Sequence, residues 1–179
     1  WQFEKYNELG YLKKEKYPVL YSPLDQSAMG EDDIVDADSN AVEKQEFTLL
    51  KFRFKDKILV AATIRPETIF GQTNLWINPK VEYWEVKVGN DVWIMSKDAI
   101  EKLEHQRKDV KAIGKTREDL IGQYARAPGI DREVIILPSR FVDADIGTGI
   151  VNSVPSDAPY EYFALKELQE KKAIRKEYG

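Results

Sequence analysis

Thr48-Leu49-Leu50-Lys51-Phe52-Arg53-Phe54-Lys55-Asp56-Lys57-Ile58-Leu59-Val60-Ala61-Ala62-Thr63-Ile64 is the stretch that decides the fold class of this chain. Leu50, Phe52 and Phe54 alternate with Lys51, Arg53 and Lys55, the period-two pattern of a half-buried strand. Asp56-Lys57 then turns the chain into residues 58–64, which are apolar on both faces and predict a strand buried on two sides. Further strands are predicted at 83–88 and 92–95, flanking the hairpin signal Gly89-Asn90-Asp91, and at 134–137 and 149–154. Helices are fewer: one capped by Ser96 and running to about Arg107, a short one over 117–121, and a longer one from Pro159 to about Lys176. Hairpin-linked strands with scattered helices predict a mainly β fold with helices, a closed or nearly closed β-barrel at the centre of an α+β architecture, and not a doubly wound sheet.

The whole sequence is compatible with that reading. Its 179 residues suffice for one domain, or one with a small appendage, and 42% hydrophobic with 32% charged residues is an ordinary globular composition. No apolar run approaches the ~18 to 20 residues of a membrane span, and residues 1–7 lack the basic and apolar regions of a signal peptide, so the expected compartment is the cytoplasm. With no cysteine, thiol nucleophiles, disulfides, zinc ribbons and iron-sulfur clusters are excluded together. The single histidine, His105, sits in the charged stretch 101–108 and reads as a bystander on a solvated helix. Net charge is −4, so no global positive field announces a nucleic-acid binder, and any RNA contact must be local. The cluster Arg107, Lys108, Lys111, Lys115 and Arg117 could assist such a contact, although a solvated face is the simpler reading.

At the ends, Trp1, Phe3, Tyr6 and Leu9 before Gly10 predict a short amphipathic helix, and residues 28–46 form an acidic, polar loop or short helix. The absence of an initiator Met and the abrupt close suggest a piece cut from a larger protein, although a processed or trimmed chain would look the same.

Two segments carry chemistry. In Ala61-Ala62-Thr63-Ile64-Arg65-Pro66-Glu67-Thr68-Ile69-Phe70-Gly71-Gln72-Thr73-Asn74, a buried strand runs out into a polar turn that Pro66 can start and Gly71 can stop. Thr63, Arg65 and Thr68 could then line one concave site, with hydroxyl donors and a guanidinium suited to phosphate. A plainer reading is an ordinary strand-to-helix turn whose threonines cap backbone groups. The second segment is Gly147-Thr148-Gly149-Ile150-Val151-Asn152-Ser153-Val154-Pro155-Ser156-Asp157-Ala158-Pro159-Tyr160-Glu161. Its glycines precede a strand instead of following one, so no dinucleotide cradle forms, and they serve a tight approach. Ser156 or Asp157 can cap the helix that follows, and Asp157 and Glu161, four apart, are expected on one face. Without other context, capping and the helix dipole account for both carboxylates.

The run Thr63-Ile64-Arg65-Pro66-Glu67-Thr68 with Gly71, and the run Gly147-Thr148-Gly149 through Val154-Pro155, resemble in order and separation the two signatures of the editing domain (connective polypeptide 1) inserted in leucyl-, isoleucyl- and valyl-tRNA synthetases. Ser156-Asp157-Ala158-Pro159, the Gln72-Thr73-Asn74 ending and Ala28-Met29-Gly30-Glu31-Asp32-Asp33 look most like the archaeal and eukaryotic leucyl type; the isoleucyl and valyl versions usually carry a histidine near Asp157. The resemblance spans essentially the whole chain. It implies a connecting segment of β-ribbon and linker over 1–45, an editing core over 46–179, and hydrolysis of the ester joining a wrong amino acid to the 3' adenosine of tRNA(Leu).

By the same resemblance, Glu161 stands where the family has an aspartate that anchors the substrate ammonium, with Asp157 able to share that task. Tyr160 is a second departure, at a position where aspartate is common. Thr63 would bind the ester and its water, Thr68 would collide with leucine, Arg65 would face the terminal phosphate or ribose, and Asn152, Ile64 and Ser156 would complete the binding surface. The implied partners are the 3' end of the tRNA and the rest of a synthetase chain. No metal or cofactor is implied for editing; ATP and magnesium belong to the separate catalytic domain of such a synthetase.

Overall fold

A computed structural model describes residues 1–14, 19–22, 24–35 and 46–178. The chain divides into two compact units, Trp1–Lys44 and Gln45–Gly179. In the first, α1 (Gln2–Glu8) forms where the apolar spacing predicts it, and none of its residues is buried. A two-stranded antiparallel ribbon follows, β1 (Leu20–Ser22) against β2 (Ser27–Met29), then a 3-10 turn, Glu31–Asp33. The Gly30 N–H donates to the Asp33 carboxylate at 2.7 Å at that turn. The rest of the acidic stretch, 36–45, lies outside the described residues.

The second unit contains β3 (Thr48–Phe54), β4 (Lys57–Thr63), a 3-10 turn (Pro66–Gly71), β5 (Asn74–Ile77), β6 (Tyr83–Val88), β7 (Asp91–Ser96), α2 (Lys97–Gln106), β8 (Val110–Lys115), β9 (Tyr124–Arg126), β10 (Glu133–Pro138), β11 (Ile150–Asn152), α3 (Pro159–Glu170) and α4 (Lys172–Tyr178). Its nine strands form one sheet in the order β11-β5-β10-β9-β3-β4-β7-β6-β8. The β3–β4 hairpin pairs Thr48 with Thr63 through Phe54 with Lys57, and Lys55 makes its turn with φ of 54°. The sheet curls until β11 packs against β4, although those two share no ladder, so the barrel is nearly closed, by packing.

Alternation in β3 explains the inside of this barrel. Leu50, Phe52 and Phe54 point inward with Leu59, Leu75, Ile94, Ile136 and Ile150, and each fully buried phenylalanine contributes about 1.5 to 3 kcal/mol of transfer free energy. Val60 on β4 faces the other way, into a second cluster with Trp93, Met95 and the underside of α2, which is why β4 reads as apolar on both faces. Trp76, Leu137 and Val142 form a third cluster beneath Leu165 and Leu168 of α3 and Tyr178 of α4. As predicted, Ser96 caps α2, its hydroxyl accepting from the Ala99 N–H at 3.2 Å and donating to the Ala144 carbonyl at 2.7 Å.

Three expectations are corrected. No helix forms over 117–121: the Thr116 hydroxyl binds Glu85, the Glu118 carboxylate turns to Lys55 and Lys57, and Leu120 enters the core, which holds the segment in non-helical form. The last helix is broken at Lys171 (ψ 94°), and α4 brings Tyr178 against Gly122 and the third cluster. The predicted strand 149–154 is shorter, because Ser153 and Val154 leave the ladder to meet the first signature.

Candidate active site

β4 delivers Thr63 to the barrel rim, where the chain leaves the sheet. The Thr63 Oγ1 accepts from the Arg65 N–H at 3.1 Å. The Arg65 carbonyl then accepts from the Thr68 hydroxyl at 2.8 Å and the Thr68 N–H at 3.1 Å, closing the first turn of the Pro66–Gly71 segment. The plainer reading of these threonines is therefore real, since both hold backbone groups. A hydroxyl has one proton and two lone pairs. Thr63 spends a lone pair and keeps its proton to donate, whereas Thr68 spends its proton and keeps its lone pairs. Ile64 and Arg65 are exposed, and the Arg65 Nε donates to Glu67 at 3.1 Å. The Glu67 carboxyl lies below its ordinary value, first through its own backbone N–H and then through Arg65.

The second signature crosses to this turn at two levels. Below, Gly147 and Gly149 have φ of 60° and 69°, and a Cβ on them would lie 2.9 Å from the Ala62 Cβ and 2.6 Å from the Ser96 Cβ, the tight approach the sequence predicts. The Tyr83 hydroxyl, its pKa pushed up to about 12 by burial, donates to the Gly149 carbonyl at 2.7 Å. Above, the Thr73 N–H donates to the Ser153 carbonyl and the Ser153 N–H to the Asn74 carbonyl, each at 2.9 Å. Gly71 packs on Val154, with 3.2 Å between its would-be Cβ and the Val154 Cγ1. The two signatures are thus stitched side by side.

Glu161 lies in the first turn of α3, and its Oε2 accepts from the Val154 N–H at 2.5 Å. Burial raises its pKa, the Val154 N–H opposes that, and the charge of Asp157 adds to the rise. The expectation for Ser156 and Asp157 is corrected: neither caps α3. The N-cap is Ala158, and Pro159 in the first turn has no N–H needing a cap. Asp157 stays in the preceding turn, exposed, with its N–H bonded to the Val154 carbonyl, so it does not share a helical face with Glu161. Ser156 is also exposed. Asn152 is 8% exposed at the end of β11, and its Oδ1 has no hydrogen-bond partner. Among the described residues, no hydrogen bond links Thr63, Arg65 or Thr68 to Glu161 or Asp157.

Local pattern misses two participants. Gln72 is fully buried just after the glycine stop, with both amide atoms unpartnered. The backbone N–H of Val154 fixes the Glu161 carboxylate, and only the fold reveals it. His105 is exposed on α2, away from both signatures in sequence.

Comparison with known proteins places the chain among relatives. No family model matches the chain. The leucine--tRNA ligase of Methanothrix thermoacetophila is 47% identical over 169 residues, covering 94% of this chain and 18% of that protein. The crystal structure of GlLeuRS-CP1 superposes with a TM-score of 0.65 at 31% identity, covering 75% of this chain and 65% of that one. The chain belongs to the leucyl-tRNA synthetase editing-domain family. The P. knowlesi cytosolic leucyl-tRNA synthetase editing domain has the same fold, with a TM-score of 0.64 at 25% identity over 75% of this chain and 65% of its own. This editing domain spans less than a fifth of the length of the curated ligases it matches. Among its described residues no helix is long and apolar enough to cross a membrane.

The raised pKa of Glu161 has a testable sign. The folded state holds this proton more tightly than the unfolded chain, so the group favours folding at low pH and loses that contribution as pH rises from 4.5 through the raised value. Against Glu161→Gln, wild type is expected to be relatively more stable below pH 4.5 than at neutrality, measured as the difference in urea midpoints. A difference that does not change with pH contradicts this.

Proposed function

We propose that this domain removes noncognate amino acids from tRNA(Leu) by hydrolysing the ester to the 3' adenosine, in the cytoplasm and as part of a longer synthetase. The observation that supports it best is the stitching of the threonine turn to the segment bearing Glu161, which puts hydroxyls and a partly buried carboxylate at one barrel rim. The Glu161 carboxylate pairs with the substrate ammonium, and Asp157 adds negative charge. The Thr63 proton donates toward the ester oxygen that becomes an oxyanion as water adds to the carbonyl carbon. The carbon–oxygen ester bond then breaks, the 3' oxygen takes up a proton, and the free amino acid leaves. Arg65 faces phosphate or ribose, and Ile64, Asn152 and Ser156 contribute to the binding surface. Water oriented by hydroxyls near an already reactive ester needs no protein base, metal or cofactor in this scheme.

Isoleucine, norvaline and valine-like residues are the expected substrates. A synthetic pocket separates such near-isosteres by only ~1 to 3 kcal/mol per methylene, so a second sieve is required. Thr68 is that sieve, excluding the leucyl side chain by collision. Thr68→Ala is expected to raise hydrolysis of leucyl-tRNA(Leu) at least about tenfold while isoleucyl-tRNA(Leu) is still cleaved, as a 1.4 kcal/mol clash implies. Release of labelled amino acid from both tRNAs checks it, and an unchanged leucyl rate removes Thr68 from this role.

A second reading has an observation of its own. With Glu161 tied to Val154 and one methylene longer than the family aspartate, the domain could hold a tRNA end without cleaving it. Binding of a 3'-aminoacyl-adenosine analogue with no ester hydrolysis would favour that reading.

A further inference from the structure

Across the β3–β9 pairing, Arg53 stands directly opposite Arg126. Cross-strand partners share a face, and like charges placed so are destabilising. Arg53 has no ion-pair partner among the described residues. Arg126 is held by Asp131, whose side chain is 84% exposed. Lys51 flanks Arg53 on the same outward face of β3, because Leu50, Phe52 and Phe54 occupy the inward one, and Lys55 follows in the hairpin turn. The backbone positions of Lys51 and Arg53 are thus about 6.6 Å apart along β3. These four side chains, with Lys57, line a groove of about 720 Å³.

We propose that this groove binds backbone phosphates of the same RNA whose 3' end the Thr63–Glu161 rim receives. The inference rests on the editing reading for the identity of the RNA. An arginine pair that repels itself becomes favourable when an anion sits between the two guanidiniums, each offering a fork of donors that matches phosphate oxygens. The carboxylates nearby do not close the groove. Asp56 and Asp91 line it, Asp91 touching Lys51 at 3.4 Å with both side chains nearly half exposed, while Glu118 pairs with Lys55 and Lys57 and Glu85 with Lys57 without lining the groove. In the basic cluster singled out from sequence, Arg107 is clamped by Asp109 through two bonds and Lys115 is paired with Glu82, and no two of its cations stand opposite each other in register as Arg53 and Arg126 do. Arg53 pairs in register with Ile58, five residues along β4 from Thr63. That separation, about 17 Å, allows the groove to hold backbone phosphates while the rim holds the terminal adenosine.

The test measures binding of uncharged tRNA(Leu) to this chain across a salt series, together with hydrolysis of 3'-isoleucyl-adenosine, which is too small to reach the groove. Arg53→Ala with Arg126→Ala is expected to weaken tRNA binding at least tenfold and to reduce the slope of log K against log salt by about 0.7 to 0.9, the loss of the one phosphate the pair shares. Hydrolysis of the small ester stays at the wild-type rate and the urea midpoint does not fall, because a repulsive pair has been removed. Unchanged tRNA affinity and slope, or no wild-type binding at all, overturns the groove. A weakened slope with no ester hydrolysis in either protein keeps the groove and removes the editing reading instead.

Discussion

Glu161→Ala is expected to lower deacylation of isoleucyl-tRNA(Leu) by about 10- to 10²-fold, since a charge-assisted contact to the substrate ammonium, worth ~1.5 to 3 kcal/mol, disappears from a partly buried position. Alanine also releases the Val154 N–H, so on its own it mixes chemistry with local folding. Glu161→Gln separates the two. Its amide oxygen can still accept from Val154 while the negative charge is gone, so the same fall in rate with a urea midpoint at neutral pH no lower than wild type isolates the anchor role. Glu161→Asp probes the extra methylene. Misplacement by about 1 Å can cost ~10²-fold, so a higher rate with aspartate means that the wild-type carboxylate sits off its best position. Near-normal rates in Glu161→Gln would take the ammonium anchor away from this residue.

The largest effect on stability is expected at Gly149. Its φ of 69° is costly for any side chain, and an alanine Cβ would lie 2.6 Å from the Ser96 Cβ and 2.9 Å from the Ser96 Oγ. Ser96 cannot retreat cheaply, because its hydroxyl both caps α2 and holds the Ala144 carbonyl. Backbone strain and overpacking together cost about 2 to 5 kcal/mol, which for a chain of this size lowers Tm by roughly 10 °C. Gly89→Ala is the control. It has φ of 60° but only an ordinary 3.5 Å contact, with the Asp109 carboxylate, so about 1 kcal/mol is expected. Equal losses at both positions, measured by thermal melting, would mean that the close approach of the second signature to β7 is not what requires Gly149.

These predictions show where sequence was legible. The β3–β4 hairpin, the Gly89 turn and the Ser96 cap follow from local rules, because alternation, turn chemistry and a hydroxyl before a helix each act within a few residues. The strand Asn74–Ile77 escapes them, since all four residues are buried between β11 and β10 and no alternation is left to read. Val110–Lys115 escapes for the opposite reason, as an edge strand that is mostly exposed, Ile113 included, so that polar and apolar residues do not alternate. At the site, both signatures are visible in sequence, but their relation is not. The stitching of Thr73 and Asn74 to Ser153 spans about eighty residues, and Asp157 leaves the helix because Pro159 moves its start. The opposition of Arg53 and Arg126 is likewise a matter of register, which composition and spacing do not disclose.

The central claim is tested most directly by single-turnover release of amino acid from isoleucyl-tRNA(Leu) and leucyl-tRNA(Leu) by this chain, at a protein concentration high enough to compensate for contacts supplied elsewhere in a synthetase. Cleavage of the isoleucyl ester with the leucyl ester spared is the predicted result. Equal cleavage of both, or cleavage of neither while the tRNA is demonstrably bound, contradicts an editing site built from the Thr63 turn and Glu161.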